Sequence, residues 1–377
     1  MSRQRDGFGL AALAFAVLAA ALPLAGGENP LAWSDRPLGL ASLVAVAAMA
    51  AYVAAKGVRG VATALAVLSL VFIATLVAIR LIDEGLYGSS SWGFWSYIFA
   101  LWALTWRGIA EVARYRSLVK KRQQLAGILV PAAFGLWLLF LWEMGCQGFG
   151  VPTVLLPPPS AIFIRLIASP DILWDDFVQT FMKAVIGGYV MGCGAGFIVA
   201  VLVDRVPFLK RGLLPLGNMV SALPIVGVAP IMVMWFGFDW QSKAAVVVIM
   251  TFFPMLVNTA SGLSAAGRLE LELMRSYGAG YWQTLFKLRI PAAMPFVFNA
   301  LKINSTLALI GAIVAEFFGT PIVGMGFRIS TEVGRMNVDM VWAEIFVAAL
   351  AGSAFYGVMA MMERAVTFWH PSYRRRK

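Results

Sequence analysis

Lys302 is the one charge deep inside a long apolar run, the stretch 290–315. A charge at the centre of a bilayer-crossing helix costs roughly 2.5–3.5 kcal/mol on insertion scales, so a lysine kept there is a functional candidate. Eleven residues beyond Pro291, at 1.5 Å each, put it about 16 Å in. No Asp or Glu lies in the middle of any other apolar run, so no acidic partner is evident. Lys302 is therefore expected either to face a pathway and favour a passing anion or polar solute, or to bond backbone carbonyls and snorkel into a cavity. Glu316 follows fourteen residues on, close to the same helix face and near the outer end, where it is read as gating, as contacting an external partner protein, or as simply sitting at the interface. Asp171, Asp175 and Asp176 on the outer side read as solvated loop charges, the alternative being an acidic rim suited to docking. His370 stands alone beside Pro371, too few ligands for a metal, and Cys146 and Cys193 lie in apolar surroundings as small core residues. Paired carboxylates at a common depth, a Ser/His/Asp set and a metal-ligand cluster are all missing. The chain reads as something other than an enzyme.

The elements that must hold these residues are set by composition. Of 377 residues, 60% are hydrophobic and 13% charged, about half the charged share of a soluble domain. Such a chain is an all-α, polytopic membrane protein. About 20 apolar residues cross the hydrocarbon layer. Ten windows qualify: 8–25, 38–55, 61–79, 86–106, 125–142, 184–203, 212–238, 244–267, 290–315 and 346–362. With the N-terminus inside and the spans alternating, 22 of the 30 basic residues fall on the inner side, 7 on the outer, and Lys302 within the membrane. That bias favours ten spans with both termini cytoplasmic in a cell inner membrane. The net charge of +11 is thus topological, and nucleic acid is not an expected partner; the terminal Arg374–Lys377 run suits a lipid surface. A cleaved secretory signal ending near Gly26 is the alternative for the first window.

Residues 1–123 are Ala-, Val- and Leu-rich, without internal charge, and read as an accessory region of about four spans ending in a basic connector. From Gln124 the texture changes. Pro215, Pro224, Pro230 and Gly227 break 212–238, and Pro254 with Asn258 interrupts 244–267. Irregular backbone survives at membrane depth only against protein or a water-filled cavity, so both segments are expected to line a path. The inner segment 264–289 places Leu269, Leu273, Met274 and Tyr277 on one helix face. It then breaks at Gly278-Ala-Gly280 and resumes with Tyr281, Trp282, Leu285 and Phe286. A helix, glycine turn and helix joined to a span has the form of a docking lever.

Glu272-Leu-Met-Arg-Ser-Tyr-Gly278, nine further residues and Leu288-Arg-Ile290-Pro291 resemble the EAA loop of permease subunits of binding-protein-dependent ABC importers. Glu272, Gly278 and Pro291 fall in register; Leu273 and Met274 replace two alanines, while Leu288 and Ile290 are conservative. Leu156–Ser160, Pro224–Pro230, Trp235-Phe-Gly237, Phe252-Phe-Pro254 and Gly324-Met-Gly326 resemble the nitrate, sulfonate, taurine and pyrimidine-precursor branch. The likeness covers about 125–370. It implies that 124–377 is a type I importer core of about six spans, with 264–291 as its coupling loop. It also implies a cytoplasmic ATPase dimer gripping that loop, a second permease subunit, most simply another copy, and an external solute-binding protein. The cargo would be a small polar or anionic organic solute. No G-x-x-x-x-G-K-[ST] loop is present, so no cofactor is expected on this chain, and ATP-Mg would be used by the partner. A secondary transporter is the competing class, but it would need buried carboxylates for ion coupling. Pro224, Pro230, Asn258, Lys302 and Glu316 are the pathway candidates.

Overall fold

The computed structural model describes residues 6–26, 30–114, 120–220, 224–319 and 322–369. Among them the protein is helical, with a single β-bridge between Ala25 and Ser90. His370, the C-terminal basic run and most of the connector 114–122 lie outside the described residues. The chain divides into two compact units, Met1–Ile162 and Phe163–Lys377.

The first unit holds α1 (Gly7–Ala21), α2 (Pro37–Lys56), α3 (Val61–Leu81), α4 (Trp92–Arg114) and α5 (Lys120–Gly148). Asp6 caps α1 by accepting from the Gly9 amide, and Pro37 opens α2 where its missing N–H costs nothing. α1 lies against α2 so closely that a Cβ on Gly9 would stand 2.5 Å from the Ala54 nitrogen. Buried Tyr97 donates to the Ala74 carbonyl (3.1 Å) and meets Trp33 edge-on. This unit does carry internal charge, against expectation. Half-buried Arg107 pairs with Asp6 and Glu111 and donates to the Val58 carbonyl. Asp6 and Val58 come from distant parts of the chain, which a scan for charge-free windows cannot register. α5 stays with this unit although composition changes at Gln124: Trp95 stacks on Phe149 and Ser90 Oγ donates to the Gly148 carbonyl.

After α6 (Pro159–Ala168), the second unit contains α7 (Pro170–Phe177) and α8 (Ile186–Arg205). They are joined by π-helical turns into one rod of 36 residues, about 54 Å long. Then come α9 (Pro207–Val220), α10 (Ile225–Phe236), α11 (Trp240–Leu263), α12 (Arg268–Ser276), α13 (Tyr281–Thr284), α14 (Ile290–Glu316), α15 (Met325–Gly334) and α16 (Val338–Val366). α13 and α14 form a second continuous rod, Tyr281–Glu316. α11 is the centre, packed on α8 and α14. On α8, Gly188, Gly192 and Gly196 repeat every fourth residue; a Cβ on each would fall 2.5–2.9 Å from the Ala244, Val248 or Phe252 carbonyl oxygen. Small residues at that spacing let two helices approach backbone to backbone where lipid offers no hydrophobic drive.

Among the described residues seven helices are long and apolar enough to cross a membrane. The other sequence windows fall on α1, α4 and the α9–α10 pair. The latter divides the proline-rich window, with Pro224 as the N-cap of α10.

Candidate functional site

α12 buries none of its residues. Leu269 is 80% exposed and Tyr277 81%, with Leu273 also open, so an apolar stripe at helical spacing faces away from the fold. Glu272 is exposed and accepts from Arg268 (3.2 Å) across one turn. The helix ends in a Schellman turn: the Gly278 amide donates to the Arg275 carbonyl and the Ala279 amide to that of Met274. Gly278 has φ +68°, a left-handed conformation that a side chain disfavours. Gln283 accepts from the Gly280 amide and starts α13. Trp282 and Phe286 continue the exposed stripe, stacked on each other, whereas Leu285 turns inward and is buried. Leu288, Ile290 and Pro291 are half-buried, and Met274 is intermediate.

The base of this helix pair is fastened by residues that sequence reading missed. Arg289 makes a two-pronged ion pair with Asp204 at the end of α8 (2.6 and 2.7 Å), and its Nε donates to the Leu263 carbonyl at the end of α11. The Tyr281 hydroxyl donates to the same Asp204 carboxylate (3.3 Å), and the Arg205 guanidinium lies 4.4 Å from the Tyr281 ring centre. The only sequence cue was charge at the ends of three apolar runs, which by itself also fits an ordinary interfacial arrangement.

At the other end of α14 sits a buried polar cluster. Glu316, 2% exposed, accepts from the Thr180 hydroxyl and the Gly326 amide. Asp176 is fully buried, accepts from Arg328 (2.8 Å) and the Gly324 amide, and is no solvated loop charge. It is buried because α7 runs straight into α8, so the residue belongs to a packed rod. Glu344 of α16 faces Asp176 and Arg328, and Lys243 donates to the Phe238 carbonyl.

Lys302 has an acidic partner after all: its Nζ lies 2.6 Å from Glu363 Oε2 on α16. The apolar window 346–362 stops one residue short of Glu363, while the helix itself runs to Val366. Asn258 turns back on its own helix and donates to the Pro254 carbonyl. Pro224 and Pro230 are exposed on α10. Beside α10 and α11 lies an apolar groove of about 560 Å³ walled by Met232, Trp235, Phe236, Trp240 and Gln241, and none of the five pathway candidates lines it. The structure thus gathers Glu272, Leu273, Met274, Gly278, Leu288, Ile290 and Pro291 in one helix–turn–helix and its join to α14, and leaves the pathway candidates at separate places.

Residues 192–368 match the family described as the binding-protein-dependent transport system inner membrane component. The formylaminopyrimidine transport permease protein of Halalkalibacterium halodurans is 31% identical over 241 residues, 64% of this chain and 96% of that protein. The riboflavin transport system permease protein of Chloroflexus aurantiacus is 29% identical, over 69% of this chain and 96% of its own length. A putative aliphatic sulfonates transport permease protein of Bacillus subtilis is 27% identical, over 70% and 94%.

Proposed function

The chain belongs to the family of inner membrane components of binding-protein-dependent transport systems and is an ABC importer permease subunit, and we propose that α12 and α13 are the handle by which a separate cytoplasmic ATPase drives it. It is a multi-pass membrane protein and a transport subunit, not a secondary transporter. The family implies an ATPase and a solute-binding protein as partners. The observation that carries the handle reading is the open apolar stripe of α12, with Leu269, Leu273 and Tyr277 uncovered on a helix that buries nothing of its own.

In this reading Glu272, Leu273, Met274 and Gly278 enter the ATPase cleft, and Leu288, Ile290 and Pro291 join the handle to α14. The ATPase dimer binds ATP-Mg, and this chain binds no cofactor. Two copies of the permease work together in the cell inner membrane, both termini in the cytoplasm, with the receptor delivering cargo from outside. α10, with Pro224 and Pro230, and the neighbouring part of α11 near Asn258 border the pathway, closed at its outer end by the Glu316 cluster.

The cargo is a small polar organic solute. Lys302 is paired with Glu363, so it is no free counter-charge for an anion. That favours a flat, weakly charged heterocycle of the pyrimidine-precursor kind over a sulfonate or nitrate. Two relatives are named for formylaminopyrimidine and riboflavin transport. The test is co-purification from native membranes. An ATPase accompanies the wild-type chain and is lost from Leu273→Asp, whereas an ATPase retained by that variant rejects the handle.

A further inference from the structure

We propose that Asp204 and Arg289 are positioning residues for energy coupling: together they make α12–α13 and the three core helices α8, α11 and α14 one rigid lever. The inference rests on the handle reading and adds how force leaves the handle. A loop gripped by a motor transmits movement only if it cannot swivel on its own support. α12 meets this demand poorly by itself, since it buries no residue and a glycine turn follows it. The stiffness has to come from the base.

Arg289 stands where the α13 segment becomes α14, and its guanidinium serves both neighbouring helix ends at once. NH1 and NH2 hold the two oxygens of Asp204 on α8, and Nε holds the carbonyl of Leu263 on α11. A planar guanidinium bound at three N–H positions fixes orientation as well as distance, which a lysine in its place would not do. Tyr281 adds a second strut to Asp204, itself covered by Arg205. The Asp204 side chain is 6% exposed and that of Arg289 18%, so water competes little for the pair.

The test uses the intact complex, this chain with its co-purified ATPase in lipid nanodiscs. Nitroxides are placed at Arg275→Cys on α12, exposed on the side away from the apolar stripe, and at Met191→Cys on α8, also exposed. The distance distribution between them is recorded without nucleotide and after trapping with ATP and vanadate. With the clamp intact the distribution is narrow and unchanged by trapping. Arg289→Ala and Asp204→Asn each broaden and shift it in the trapped state, and the exchanged pair Asp204→Arg with Arg289→Asp, which restores the ion pair but not the donor to Leu263, narrows it part of the way. Rescue by exchange is a result that mere loss of packing does not give. An ATPase still bound, with an unbroadened distribution in both single variants, overturns the clamp alone. Wild-type complex lacking any ATPase overturns the handle reading beneath it. Should a single variant not accumulate, Arg289→Lys, which keeps the charge and loses the fork, decides: a broadened distribution supports the lever, one as narrow as wild type overturns it.

Discussion

Replacing Lys302 by methionine removes one half of an ion pair and leaves Glu363, whose side chain is 10% exposed, without its cation. At 2.6 Å the attraction is large in gross terms, about 6 kcal/mol at an effective dielectric of 20, but desolvation of both groups offsets most of it. What survives in a mutant is the penalty of the orphaned carboxylate. Breaking a fully buried pair costs about 3–5 kcal/mol; with Lys302 itself 18% exposed, about 3 kcal/mol is the expected loss for Lys302→Met. Adding Glu363→Gln to that variant removes the orphaned charge and should return all but about 1 kcal/mol; the coupling then follows once the cost of Glu363→Gln alone is also subtracted. The assay is thermal unfolding of purified protein in detergent, followed through tryptophan fluorescence, with both single variants completing the cycle. Full stability of Lys302→Met combined with lost uptake would refute this reasoning and return the lysine to the pathway.

Gly278→Val forces a β-branched residue into φ +68° and should cost about 1–2 kcal/mol locally, separating ATP hydrolysis from uptake while the protein still accumulates in membranes. Gly192→Leu drives a side chain into the Val248 backbone and should sharply reduce the yield of folded protein, whereas the same change at Gly194, whose surroundings are open, should be tolerated. Asp239 caps α11, and the Gln179 amide with the Trp240 N–H holds its carboxyl below the usual range. A lowered folded-state value stabilises fully above the unfolded one and is lost as pH falls through the folded one. The contribution of Asp239 should therefore be flat near neutrality and fall only below about pH 4, a limb that Asp239→Asn removes.

Hydropathy and charge bias made the membrane class readable, because each span must satisfy its own backbone in lipid and so leaves a long local signature. The helix–turn–helix was legible for a similar reason: Leu269, Leu273 and Tyr277 share a period, and Gly278 marks the left-handed residue of its cap. Pairings across the fold were not. Asp204 with Arg289, Lys302 with Glu363 and Asp176 with Arg328 join residues between 61 and 152 positions apart. Each looked like an end-of-helix charge or a lone one until the helices were packed. The window scan also erred in a systematic way. Real helices such as α16 run past their charge-free centres, so their ends contribute partners that the windows exclude.

The most direct test of the handle is a photoreactive amino acid at Tyr277, on the open stripe of α12, activated in intact cells. A cross-link to a cytoplasmic ATPase, absent when the same group is carried at Ser330 on α15, is the predicted result. Labelling by an external protein or by lipid alone from Tyr277 would contradict it.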